Sequence, residues 1–189
     1  LHLARETLRV SIGRALHAEL ESVYGSLQES GPYEVDPQAI GRRSLNNCAL
    51  AYLMAADGLA GGERCRAQYE AQHNMTDVIA ALSLLADRDC PQREAALEAF
   101  AERWRDDPLV MDKWFGLQAS MAPPEKAAKV TRRLTEDADF DWKNPNRFRS
   151  VIGGLAMNTA GFHHPTGAAY NLVADWLIRL SLRHPVALT

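Results

Sequence analysis

The feature that most limits what this chain can fold into is a recurrence of paired amphipathic helical segments. The pairs begin near residues 76, 108 and 145, about 32 to 37 residues apart. In the first pair, Val78, Ile79, Leu82 and Leu85 fall at helical spacing. After the turn Asp89-Cys90-Pro91, so do Leu97, Phe100, Ala101 and Trp104. Asp107-Pro108 opens the second pair, with Val110, Trp114, Leu117 and Met121 in its first helix. Pro123-Pro124 separates that helix from one through Ala127, Val130 and Leu134. Asn144-Pro145 opens the third, whose first helix uses Phe148, Val151, Ile152 and Leu155. An irregular stretch from Thr159 to Thr166 follows, and a last helix carries Tyr170, Val173, Leu177 and Leu180. Asp or Asn before proline is a strong start signal, because the side chain accepts from a free N–H and the ring suits the first helical position. A lone helix pair cannot bury its apolar face, so pairs at this spacing stack on one another. No stretch alternates long enough to form a strand. The expected fold is all-α: stacked antiparallel helix pairs in a HEAT-like α-superhelical array.

Upstream, Leu8, Ile12, Leu16, Leu20, Val23 and Leu27 form one stripe, predicting a long helix over about 3–28 that Glu29-Ser30-Gly31-Pro32 breaks. Asp36-Pro37 starts a helix to about residue 57, with Leu45, Cys48, Ala49, Tyr52 and Ala56 expected inward. Gly58, Gly61 and Gly62 suggest a joint before a helix from Glu63 to about His73, and Thr76 is the expected cap of the next. The organisation predicted is one helical domain over 1–189, with N-terminal helices in 1–73 and helix-pair repeats in 76–183. The chain starts on an amphipathic helix without a signal peptide's apolar run. It stops at His-Pro-Val-Ala-Leu-Thr without the polar outer helix that closes a repeat array. Both ends are expected to be truncations of a longer domain.

Charge narrows the function classes. A net charge of −3 and a pI near 6.1 disfavour a general nucleic-acid binder, and no run reaches the roughly 18 apolar residues of a membrane span. Cys48, Cys65 and Cys90 contain no C-x-x-C, so neither a zinc ribbon nor a redox pair is indicated. Cys48 reads as a small core residue, and three free thiols suggest a reducing, cytoplasmic setting. None of the six histidines stands in H-E-x-x-H, and no G-x-S-x-G or phosphate-binding glycine loop occurs. His163-His164 has no carboxylate nearby in sequence, so no metal site is expected there. Glu136, Asp137 and Asp139 read as a solvated loop. No catalytic residue is assigned. The strongest binding candidates are Arg147 and Arg149, two guanidinium groups beside a helix start, with Asn146 as a neighbouring polar group. The competing reading is that both arginines pair with carboxylates of neighbouring helices.

Several motifs in unbroken order add to this. His-Asn-Met-Thr-Asp at 73–77, PLVMDKWFGLQA at 108–119 and NPNRFRSVIGGLAMN at 144–158 resemble the C-terminal helical domain of the bacterial aminopeptidase N family, M1 zinc metallopeptidases. RRSLNNCALAYL at 42–53, and Phe162-His163 with Gly167 and Tyr170, are similar to the same family. The resemblance implies that a separate thermolysin-like domain carries H-E-x-x-H, a distal zinc-binding Glu and G-x-M-E-N. None of these is in this chain, so zinc is expected in that catalytic domain and no cofactor in this segment. It further implies that the helical portion closes an internal chamber whose wall arginines receive peptide carboxylates. The implied partners are the catalytic domain of the same polypeptide and peptide substrates, with neither nucleic acid nor membrane. Where relatives tend to read F-H-x-x-D-G-S-G-Y, Thr166 replaces the Asp and Ala169 the second Gly. No role of that Asp is therefore carried over. The alternative function is a free-standing helical-repeat scaffold for a protein partner, expected to have polar caps at both ends and an exposed aromatic groove.

Overall fold

A computed structural model describes residues 1–28, 31–88 and 90–183, and among these no strand occurs. The helices are α1 (His2–Ala15), α2 (His17–Ser26), α3 (Pro37–Asp57), α4 (Leu59–Ala71), α5 (Met75–Ala86), α6 (Pro91–Trp104), α7 (Pro108–Met121) and α8 (Ala127–Thr135). Next comes a composite helix: α9 (Pro145–Phe148), a π turn (Arg149–Gly153) and α10 (Gly154–Met157). The short α11 (Thr159–Phe162) and α12 (Ala168–Arg183) follow. The all-α expectation holds, and the helices from α5 onward come in the expected pairs. The breaker at Glu29-Ser30, the turn residue Asp89 and the final 184–189 segment lie outside the described residues. Two compact units result, Leu1–Ala99 and Phe100–Thr189.

Caps and prolines set the helix starts. Asp36 accepts from the N–H groups of Gln38 and Ala39, Asp107 from Leu109 and Val110, and Asn144 from Asn146 and Arg147. Each precedes a proline whose missing N–H costs nothing at that position. The cap of α5 is Asn74 in place of Thr76, its side chain accepting from the Asp77 N–H.

In the first unit four expectations change. The long first helix breaks at Leu16, dividing α1 from α2. The glycines at 61 and 62 lie inside α4 and form no joint; only Gly58, at φ +56°, is a break. A Cβ at Gly61 would stand 2.6 Å from the Met54 Cα, so this glycine lets α4 approach the α3 backbone. Finally, α3 is rotated from its expected face: Leu45 and Cys48 are exposed, while Arg43, Asn46, Leu50 and Leu53 are buried. Buried Arg43 donates to the Glu34 carbonyl at 2.8 Å and lies over the Tyr33 ring, so its charge is not left bare. Cys65 is buried, and desolvation pushes its thiol up to about 12. A thiol-specific reagent near pH 8 should therefore label exposed Cys48 in the folded chain and reach Cys65 only after denaturation. Equal labelling rates would contradict this burial.

The core of the second unit joins Phe115, Ala119, Leu134, Phe140, Val151, Leu155, Leu172 and Trp176. Here α7 and the composite helix run parallel, as the first helices of neighbouring repeats should. Asp112 meets Arg147, Gly116 meets Ser150, and Gly154 meets Ala119. The backbones come close: a Cβ at Gly154 would lie 3.0 Å from both the Gly116 carbonyl and the Ala119 Cβ. Asn158 closes this seam, donating to the Ala122 carbonyl at 2.7 Å and accepting from the Gly161 N–H at 3.0 Å. On α12 the inward residues are Ala169, Leu172 and Trp176, while Tyr170 and Leu177 are exposed. The expected face of that helix is thus off by one position.

Candidate functional site

The two arginines of the 144–158 segment have opposite surroundings. Arg147 is 6 % exposed. Its Nε donates to Asp112 Oδ1 at 2.5 Å, and its terminal nitrogens donate to the carbonyls of Asp139 and, at 3.4 Å, Pro108. The guanidinium also lies over the Phe115 ring, 4.4 Å from its centroid. This one side chain ties α7, the 137–142 loop and α9 together, and its charge is spent inside the fold. Arg149, two residues on, is exposed where the π turn begins.

Arg149 lines an open pocket of about 520 Å³ with Asn146, Ser150, Leu109, Asp112 and Lys113. Two sequence-chosen residues, Asn146 and Arg149, therefore share one concavity, and Arg147 braces its wall through Asp112. Sequence reasoning missed Lys113. Its only signal was its place beside Asp112 in the PLVMDKWFGLQA motif, on another helix. Neither Lys113 nor Arg149 has a hydrogen-bond or ion-pair partner among the described residues. The pocket can thus offer two unmatched cations and an amide to an anionic ligand.

The other motif residues meet away from this pocket, within the first unit. Asn47 and Asn74 donate to the two carboxylate oxygens of buried Asp77 at 2.8 and 2.7 Å. Gln68 donates to Asn47 Oδ1 and to the Asp77 carbonyl, while Asn46 donates to Gln68. The 42–53 and 73–77 motifs thus build a buried amide–carboxylate network that fixes α3, α4 and α5 in register, a structural task. His163 and His164 form local contacts: His163 Nδ1 lies 2.6 Å from the Tyr170 hydroxyl, and His164 Nδ1 3.0 Å from that of Thr166.

His17, Glu21 and Asp57 are the described residues whose ligand atoms come near enough to suggest a metal. Arg64 already fills the position between the carboxylates, pairing with Glu21 and, at 2.5 Å, with Asp57. Burial raises the Asp57 carboxyl, but hydrogen bonds from His17 and Arg64 outweigh it and hold the group below its usual value. The cluster behaves as an ion-pair staple between α2, α3 and α4.

Fold and motifs together define an ARM-repeat domain. A family described as "Domain of unknown function (DUF3458_C) ARM repeats" matches residues 1–187, and the chain belongs to it. Over 187 residues the chain is 36% identical to Aminopeptidase N of Caulobacter vibrioides, covering 98% of this chain and 22% of that protein. It is 34% identical to Aminopeptidase N of Escherichia coli over 182 residues, 96% of this chain and 21% of the relative. The solved structure of Legionella pneumophila aminopeptidase A in complex with aspartic acid superposes with a TM-score of 0.86 at 29% identity, covering 95% of this chain and 22% of that one. The chain therefore corresponds to the helical domain of aminopeptidase N relatives, and spans about a fifth of their length. No described helix is long and apolar enough to cross a membrane.

Proposed function

We propose that this chain is the non-catalytic C-terminal helical portion of a zinc-dependent, M1-type aminopeptidase N, closing the active-site chamber and gripping the far end of the peptide substrate. The observation that carries this reading is the pocket at Arg149, built from residues of two motifs shared with the aminopeptidase N relatives. Hydrolysis is assigned to a catalytic domain of the same polypeptide, where zinc would activate water against the scissile carbonyl. This chain's residues bind and orient. Arg149 donates charge-assisted hydrogen bonds to the peptide carboxylate. Asn146 supports it with its amide, and Arg147 contributes indirectly by holding Asp112 and the loop.

In the complete enzyme, Arg149→Ala should raise KM for free-carboxylate peptides by about tenfold, the worth of one charge-assisted bond, and should affect C-terminally amidated peptides far less. Equal effects on both substrates would reject the reading. The 189-residue chain alone should not turn over an alanyl chromogenic substrate.

A further inference from the structure

We propose that Lys113 and Arg149 form a two-cation clamp selecting peptides that end in an acidic residue, where the side-chain and terminal carboxylates are presented together. This rests on the substrate-binding reading above and goes further by naming a second residue and a ligand class.

Three observations carry it. The parallel crossing places Lys113 and Arg149 along one seam: Asp112 is joined to Arg147 and Gly116 touches Ser150, so the residues beside these pairs flank a common pocket. The pocket's one carboxylate, Asp112, is matched by buried Arg147 and does not neutralise the two outer cations. Those cations have no protein partner among the described residues, while Arg9, Arg64, Arg66, Arg88 and Arg147 are all paired. A single terminal carboxylate would leave one cation unmatched; a terminal Asp or Glu matches both. Arg149 suits the planar, two-oxygen terminal carboxylate, and the flexible Lys113 suits the side-chain one.

The test is a titration of the 189-residue chain, followed by NMR, with N-acetyl-Ala-Ala-Asp and its isostere N-acetyl-Ala-Ala-Asn, both with free C-termini. The wild-type chain should bind the Asp-terminated peptide on the order of tenfold more tightly. Lys113→Met should abolish that preference and leave the Asn-terminated peptide within about twofold. Arg149→Gln should weaken both. Equal wild-type affinities, or a preference that survives Lys113→Met, overturn the clamp, while the carboxylate reading stands if Arg149→Gln still weakens both peptides. If Arg149→Gln changes neither, or no saturable binding is seen, the underlying reading fails and takes the clamp with it.

Discussion

Arg147→Met should lower stability by about 3–5 kcal/mol, the range for breaking a buried ion pair and leaving its partner uncompensated. Asp112, with a side chain 13% exposed, would keep its charge without the guanidinium that now matches it. Two backbone carbonyls, of Asp139 and Pro108, would lose their donor as well. The expected readout is a clear fall in the urea midpoint with an unchanged slope. Asp112→Asn should also destabilise. The double variant Arg147→Met with Asp112→Leu should recover much of the loss, since a buried pair can often be exchanged for apolar groups at little cost. A midpoint unmoved by Arg147→Met would mean that this arginine is not the inner brace described above.

The second large effect is expected at Phe115, fully buried and central to the second unit's core. Its ring meets Trp114 edge-on at 4.9 Å and Phe140 at 6.4 Å, and carries Arg147 over its face. Phe115→Ala should cost about 3–5 kcal/mol through lost transfer energy and the cavity left behind. Because Phe115 and Arg147 touch, their effects should not add; a double-mutant cycle should give a coupling of roughly 0.5–3 kcal/mol. Strict additivity would show that the cation–π contact contributes nothing. Phe115→Leu, which retains most of the volume, should be much milder.

How far these features were legible depended on where the deciding partner lay. The starts at Pro37, Pro108 and Pro145 were readable because cap, proline and first turn are adjacent in sequence. The face of α3 was not: Leu45, Cys48 and Tyr52 form a plausible apolar stripe. The buried side instead takes Arg43 and Asn46, whose partners include the Glu34 carbonyl, Gln28 and Gln68. Polar burial of that kind is specified by distant residues, and hydrophobic periodicity cannot see it. On α12, Tyr170, Leu172, Val173, Trp176 and Leu177 surround much of the helix, so two neighbouring faces compete and the pattern does not choose between them. In the candidate site, the spacing of Arg147 and Arg149 marked the right segment but could not assign their roles. Asp112, 35 residues earlier, makes Arg147 an internal tie. Lys113 escaped notice for the same reason, since its neighbours in the pocket belong to another helix.

The π turn at 149–153 has a consequence for insertions and deletions. It holds a residue more than an α-turn would, so it behaves as an insertion the fold already accommodates. Removing one residue there should give a smoother helix but rotate everything after it by about 100° relative to Arg147. Gly154 would then lose its place against Gly116, and Leu155 and Asn158 would swing away from their partners. The irregular helix keeps both halves in phase, and a length change of one residue should be less tolerated here than in the loops on either side.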